Sequence, residues 1–125
     1  MRDTYLPYGQ QWLDDEDIQA VVNVLKGSYL TTGPTISKFE ECVAKYVGSK
    51  YAVAFSNGTA ALHGACFAAG IGEGDEVITT PITFAASANC VRYVGGTVVF
   101  ADIIEDTYNI DPLEIEKKIT LNTKA

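Results

Sequence analysis

The sequence predicts an α/β fold in which parallel strands alternate with helices, and three observations lead there. Short apolar runs of strand character occur at Tyr51–Phe55, Glu76–Thr79 and Thr97–Ala101. The stretches between them carry apolar residues at helical spacing. Glycine, proline and small polar residues punctuate each boundary. Strands separated by helices are joined by right-handed crossovers, which makes them parallel.

The elements follow in order. Asp14-Asp15-Glu16-Asp17 opens a first helix whose apolar positions Ile18, Val21, Val22 and Leu25 share one face. Its acidic first turn suits the positive end of the helix dipole, and Lys26 followed by Gly27 suits the other end. Ser28–Pro34 reads as a loop, with Pro34 placed to start the next helix. That helix turns Ile36, Phe39, Val43 and Val47 inward and stops at Gly48.

The strand Tyr51–Phe55 then runs through a polar turn into a helix reaching Ala69. Gly70–Asp75 connects to the strand Glu76–Thr79. Pro81 and Thr83 lead into a helix from about Phe84 to Val94, closed by Gly95-Gly96, and the strand Thr97–Ala101 ends at Asp102. Asp111-Pro112-Leu113-Glu114 combines a cap, a proline at the first helical position and a carboxylate able to reach back, so a last helix runs to about Ile119. The organisation is one domain, with an N-terminal arm over 1–13, a helical segment over 14–49, strand/helix alternation over 50–119 and a tail over 120–125.

Composition narrows the function. At 125 residues the chain can bury a core yet is short for a complete α/β enzyme. Nine basic residues against sixteen acidic ones give a formal charge of −7 without any basic stripe, which disfavours nucleic acid and anionic membranes as partners. No apolar stretch approaches the roughly 20 residues of a membrane span, and Met1-Arg2-Asp3 leads into no signal-peptide core. A cytoplasmic location is therefore expected. Cys42, Cys66 and Cys90 fall in separate predicted helices, a spacing that supports neither disulfides nor zinc and predicts small buried side chains. His63 is the single histidine, which rules out multi-histidine metal sites.

The chemistry concentrates at Ser56-Asn57-Gly58-Thr59, between a strand and a helix. The first N–H groups of such a helix are unpaired and its dipole presents positive charge. Gly58 admits a ligand close to the backbone, and Ser56 and Thr59 add hydroxyl donors, so the turn is suited to a phosphate. Gly70, Gly72 and Gly74 imitate part of a dinucleotide fingerprint, but they follow a helix and precede a strand, the reverse of what phosphate binding requires. A Walker-type Gly-Lys-Ser/Thr ending is also missing.

Several segments in sequence order carry a resemblance. They are Pro7-Tyr8-Gly9, Leu30-Thr31-Thr32-Gly33-Pro34, Ser56-Asn57-Gly58-Thr59-Ala60-Ala61-Leu62 and Gly72-Glu73-Gly74-Asp75-Glu76-Val77-Ile78. Pro81-Ile82-Thr83-Phe84, Val99-Phe100-Ala101-Asp102-Ile103 and Tyr108-Asn109-Ile110-Asp111-Pro112 continue the set. Together they resemble the N-terminal part of the pyridoxal-phosphate-dependent sugar aminotransferases, the DegT/DnrJ/StrS group. The similarity is greatest to enzymes that aminate C4 of a UDP-linked 4-keto-6-deoxy-N-acetylhexosamine in surface-sugar pathways.

The resemblance implies the N-terminal part of a fold-type I aminotransferase large domain, with a sheet that is incomplete in this chain. It assigns Gly58, Thr59 and Ala60 to the phosphate of pyridoxal 5'-phosphate and Phe84 to stacking on the pyridine ring. Tyr8, Thr31, Thr32 and Gly33 are assigned to the nucleotide-sugar substrate, glutamate is the implied amino donor, and a homodimer is the implied assembly. The family's Schiff-base lysine and ring-binding aspartate lie in contexts this chain does not contain, so no catalytic residue is assigned. Its lysines, including Lys26, Lys45, Lys117, Lys118 and Lys124, read as solvated surface charge. Asp102, at a strand end, is not the ring partner by this pattern.

A fragment inactive alone and prone to self-association is the expectation. Open alternatives are a phosphate or nucleotide-sugar binding module, an interaction fragment that docks on a full-length homologue, and the dehydratase branch of the group.

Overall fold

A computed structural model describes Tyr5 and residues 7–125. The arm predicted over 1–13 lies partly outside the described residues. The chain forms two compact units, one ending at Ala54 and the other spanning Phe55–Ala125.

The first unit contains α1 (Asp15–Leu25) and α2 (Pro34–Val47). Asp14 caps α1 by accepting the N–H groups of Glu16 and Asp17, both at 3.0 Å, while the Asp17 carboxylate accepts the Asp14 N–H at 3.2 Å. This reciprocal box satisfies donors that the helix start leaves open. Pro34 begins α2, and Gly48 ends it at φ +70°, a left-handed conformation that suits glycine. The predicted inner faces are less covered than expected. Ile18, Val21, Leu25, Ile36 and Phe39 are all exposed, and only Ala44 of these two helices is buried.

Tyr51–Phe55 does not form the predicted strand. An extended backbone becomes a strand only when a neighbour completes its ladder, and this segment enters no ladder. Its backbone is held by side chains instead: Glu40 Oε1 accepts the Ala54 N–H at 2.8 Å, and Ser49 Oγ donates to the Tyr51 carbonyl at 2.8 Å.

The second unit runs α3 (Gly58–Ala68), β1 (Glu76–Thr79), α4 (Ala86–Tyr93), β2 (Thr97–Phe100) and α5 (Pro112–Lys118). β1 and β2 pair in parallel with Glu76 opposite Thr97 and Thr79 opposite Phe100. α3 packs on α4, and the core gathers Ile71, Cys90 and Val91 with Cys66, Val77, Val94 and Val98 around it. Gly96 is buried where the chain leaves α4 for β2. A Cβ there would stand 2.8 Å from Val91 Cγ1 and 2.9 Å from Ile71 Cγ2.

Element ends differ slightly from expectation, β2 stopping at Phe100 and α5 at Lys118. α4 starts at Ala86 rather than Phe84, which leaves Phe84 on the turn before the helix. Within the expected tail over 120–125, the last residues lie beside β1 and pair with it. Glu76 N–H donates to the Asn122 carbonyl at 2.8 Å, Lys124 N–H to the Glu76 carbonyl at 2.9 Å, and Ile78 N–H to the Ala125 carbonyl at 2.9 Å. Backbone groups make this pairing, so the polar side chains of Asn122-Thr123-Lys124 did not advertise it. Lys124 is consequently not merely solvated: its Nζ lies 3.1 Å from Asp75 Oδ2. Lys117 likewise pairs with Glu114, one helical turn away.

Candidate phosphate and ring site

The site is built on the start of α3. Asn57 is its N-cap in extended conformation, and its Oδ1 accepts the Ala60 N–H at 2.9 Å. The Ala61 N–H closes the first backbone turn on the Asn57 carbonyl at 3.1 Å. Among the described residues, the N–H groups of Gly58 and Thr59 find no partner. Two donors therefore remain at the positive end of the helix. A Cβ built on Gly58 would meet nothing within 4 Å, so the space beside these donors is open.

Phe84 supplies the second component. It sits between Thr80-Pro81 and α4, with 76% of its surface exposed. Gly58, Thr59, Ala61, Leu62, Ala65, Phe84 and Ala86 surround a cavity of about 630 Å³. A polar corner at the helix start and an otherwise apolar lining with an aromatic ring suit a flat heteroaromatic phosphate.

Three of the residues assigned from sequence, Gly58, Thr59 and Phe84, thus meet at one cavity. Ala60 is placed differently, since its N–H is taken by Asn57 and it does not line the cavity. Asn57, part of the turn singled out in the sequence but given no role there, is the cap, and asparagine directly before a helical run is a recognisable capping signal. Leu62 and Ala65 were also unassigned; their spacing from Gly58 puts all three on one helix face. Thr31, Thr32 and Gly33 belong to the unit ending at Ala54 and lie just before α2. Thr32 has φ +52°, an unusual conformation for a β-branched residue, and its Oγ1 donates to the Thr31 carbonyl at 2.7 Å. Tyr8 is fully exposed in the same unit. Asp102 stays apart from the Phe84 cavity and accepts the Ile103 N–H at 2.8 Å.

The cysteines divide by environment. Cys90 is buried and Cys66 half-buried, but Cys42 is exposed on α2, which corrects the expectation of three buried thiols. Burial, followed by the neighbouring Cys90, pushes the Cys66 thiol up to about 11. His63 makes an edge-on contact with Tyr93, ring centroids 5.3 Å apart, a packing role between α3 and α4. Among the described residues, no helix is long and apolar enough to cross a membrane.

Comparison with known proteins places this architecture. The spore coat polysaccharide biosynthesis protein SpsC of Bacillus subtilis is 48% identical over 124 residues, covering 99% of this chain and 32% of that protein. Helicobacter pylori PseC, an aminotransferase involved in the biosynthesis of pseudoaminic acid, superposes with TM-score 0.83 at 38% identity, covering 94% of this chain and 32% of PseC. NtdA of Bacillus subtilis, solved with bound cofactor PMP, superposes with TM-score 0.79 at 34% identity over 89% of this chain and 26% of NtdA. The chain thus spans about a third of the length of SpsC. Residues 11–125 match one family throughout, and with the fold in agreement the chain belongs to the DegT/DnrJ/EryC1/StrS aminotransferase family.

Proposed function

We propose that this chain carries the phosphate-binding and ring-stacking part of a pyridoxal 5'-phosphate site. The parent activity is transfer of an amino group from glutamate to a UDP-linked 4-keto-6-deoxy sugar for surface-polysaccharide synthesis, in a homodimer. The observation that carries the reading is the meeting of the unpaired Gly58 and Thr59 N–H groups with the exposed Phe84 ring at one cavity. The cofactor bound to NtdA and the biosynthetic roles described for SpsC and PseC support it.

When bound, the cofactor supplies an electron sink and carries the amino group. The residues of this chain bind and orient. Gly58 and Thr59 donate to the phosphate from the helix start, where the dipole favours the dianion. The Phe84 ring fixes the plane of the pyridine, and the apolar walls of Leu62 and Ala65 exclude water on that side. Tyr8 and the Thr31-Thr32-Gly33 turn contact the nucleotide sugar. None of the chain's lysines serves as the nucleophile, so the chain alone binds without turnover.

Titration of the purified chain with pyridoxal 5'-phosphate, followed by absorbance, tests this. Saturable binding, displaced by inorganic phosphate and leaving no lysine adduct after borohydride, is expected. Phe84→Leu should weaken cofactor binding by about three- to tenfold, the worth of one aromatic stack, while leaving inorganic phosphate unaffected. Equal affinity for simple phosphates and cofactor would instead identify a general phosphate-binding module.

A further inference from the structure

The backbone of Tyr51–Phe55 is largely uncommitted. Glu40 Oε1 accepts the Ala54 N–H, and Ser49 Oγ donates to the Tyr51 carbonyl. Among the described residues, the remaining N–H and carbonyl groups of the segment make no hydrogen bond. Tyr51 is 74% exposed, Val53 70% and Phe55 48%. The segment also lacks charge, proline and glycine, features that keep an open strand from pairing with another chain. A strand is therefore what would satisfy it, and its own sequence specifies which. Tyr-Ala-Val-Ala-Phe reads almost alike in both directions about Val53. Laid antiparallel on a second copy, Val53 faces Val53, Ala52 faces Ala54, and Tyr51 faces Phe55.

We propose that Tyr51–Phe55 is a self-recognition strand, pairing antiparallel with the same segment of a second copy about a twofold axis at Val53. In strand geometry alternate residues turn their backbone groups to opposite edges. The Ala54 N–H, held by Glu40, marks one edge, which leaves Tyr51, Val53 and Phe55 to serve the other. Across the axis each Val53 exchanges its hydrogen bonds with the Val53 of the partner copy. Each Phe55 N–H donates to the partner's Tyr51 carbonyl, which keeps a lone pair beyond the one facing Ser49. The side chains of Tyr51, Val53 and Phe55 then share one face, where aromatic and β-branched cross-strand pairs are favourable. The surface contributed is small. Two aromatic rings and a valine per copy fall short of the roughly 1,000 Å² a permanent interface buries, so the pairing is reversible and concentration-dependent. It holds independently of the cofactor reading.

Sedimentation velocity on the full chain over a wide concentration range tests this. The wild-type apparent mass should climb from 13.5 kDa toward twice that value, whereas Val53→Lys and Val53→Glu should each stay at the monomer mass. Like charges meet at the axis in either variant, and an equimolar mixture of the two should recover association. Because Val53 is exposed, both variants should melt with the dilute wild type. Amide exchange of the wild type by NMR gives a reading that needs no variant. The Val53 and Phe55 amides should exchange more slowly at high concentration, while the Ala52 amide should not change. A wild type that remains monomeric, or exchange that ignores concentration, overturns the proposal. So does association that persists in Val53→Lys, which would seat the second copy on another apolar face, or a mixture that stays monomeric.

Discussion

Lys124 and Asp75, 49 residues apart in the chain, form an ion pair of 3.1 Å. The same ammonium donates to the Gly70 carbonyl at 2.7 Å, which ties the last residues to the turn between α3 and β1. Asp75 also accepts the Gly72 N–H at 2.9 Å. That N–H, and then Lys124, hold the Asp75 carboxyl below its ordinary value.

A pH dependence follows from that shift. A carboxylate whose folded pKa is depressed adds stability above the unfolded value of about 3.9, and this is lost as pH falls through the folded value. The melting temperature of wild type should exceed that of Asp75→Asn above about pH 5, by an amount that no longer changes with pH there. The gap should close as the pH is lowered into the acid range. A gap unchanged at acid pH would show that the ionised carboxylate contributes nothing. Lys124→Met should remove part of the gap, because the Gly72 contact survives.

Two glycines are held by close approach. At Gly64 an added Cβ would lie 2.5 Å from the Phe55 ring, and at Gly96 it would strike Val91 and Ile71. Gly96→Ala overfills the core and should destabilise the chain by about 1–3 kcal/mol in urea unfolding. Gly72→Ala, where the added atom meets nothing within 4 Å, serves as the comparison. Gly64→Ala should displace Phe55, which directly precedes Ser56, and so weaken phosphate binding as well as stability.

Thiol labelling should separate the cysteines. Cys42 is exposed, Cys90 is buried, and the raised Cys66 thiol stays protonated near neutrality. A maleimide at pH 7.5 should modify one thiol quickly, mapped to Cys42 by peptide analysis. The other two should react only after denaturation. Rapid modification of Cys66 in the folded chain would contradict its placement against the core.

Thr32 at φ +52° stores backbone strain in the loop before α2. Thr32→Gly should raise stability by about 1 kcal/mol, since glycine adopts this conformation without a Cβ penalty. If the loop binds the nucleotide sugar, the same variant should weaken UDP-sugar binding in calorimetry. A gain in stability with unchanged affinity would reduce the loop to a connection.

Local chemistry made most of the fold legible in the sequence. The acidic run Asp14–Asp17, Pro34, Gly48 and the Asp111-Pro112 start are local signals, and the helices they open or close lie where those signals put them. Glu76–Thr79 was readable because its flanking turns are unambiguous. Tyr51–Phe55 has equal strand character, but strand formation depends on a neighbour, and no local signal reports one. Lys124 looked like surface charge for the same reason, its partners Gly70 and Asp75 being remote in sequence.

At the candidate site, the sequence alone pointed to a helix start with open donors, assigned to Gly58, Thr59 and Ala60, because helix polarity is a short-range property of the backbone. The structure shows the Ala60 N–H already taken by Asn57 Oδ1. Only tertiary structure decided that Phe84 lies at the same cavity, since packing of α3 against α4 brings together residues that no local rule connects. It also decided that residues 122–125 lie beside β1, where backbone hydrogen bonds, blind to side-chain type, outweigh the polar character of the segment.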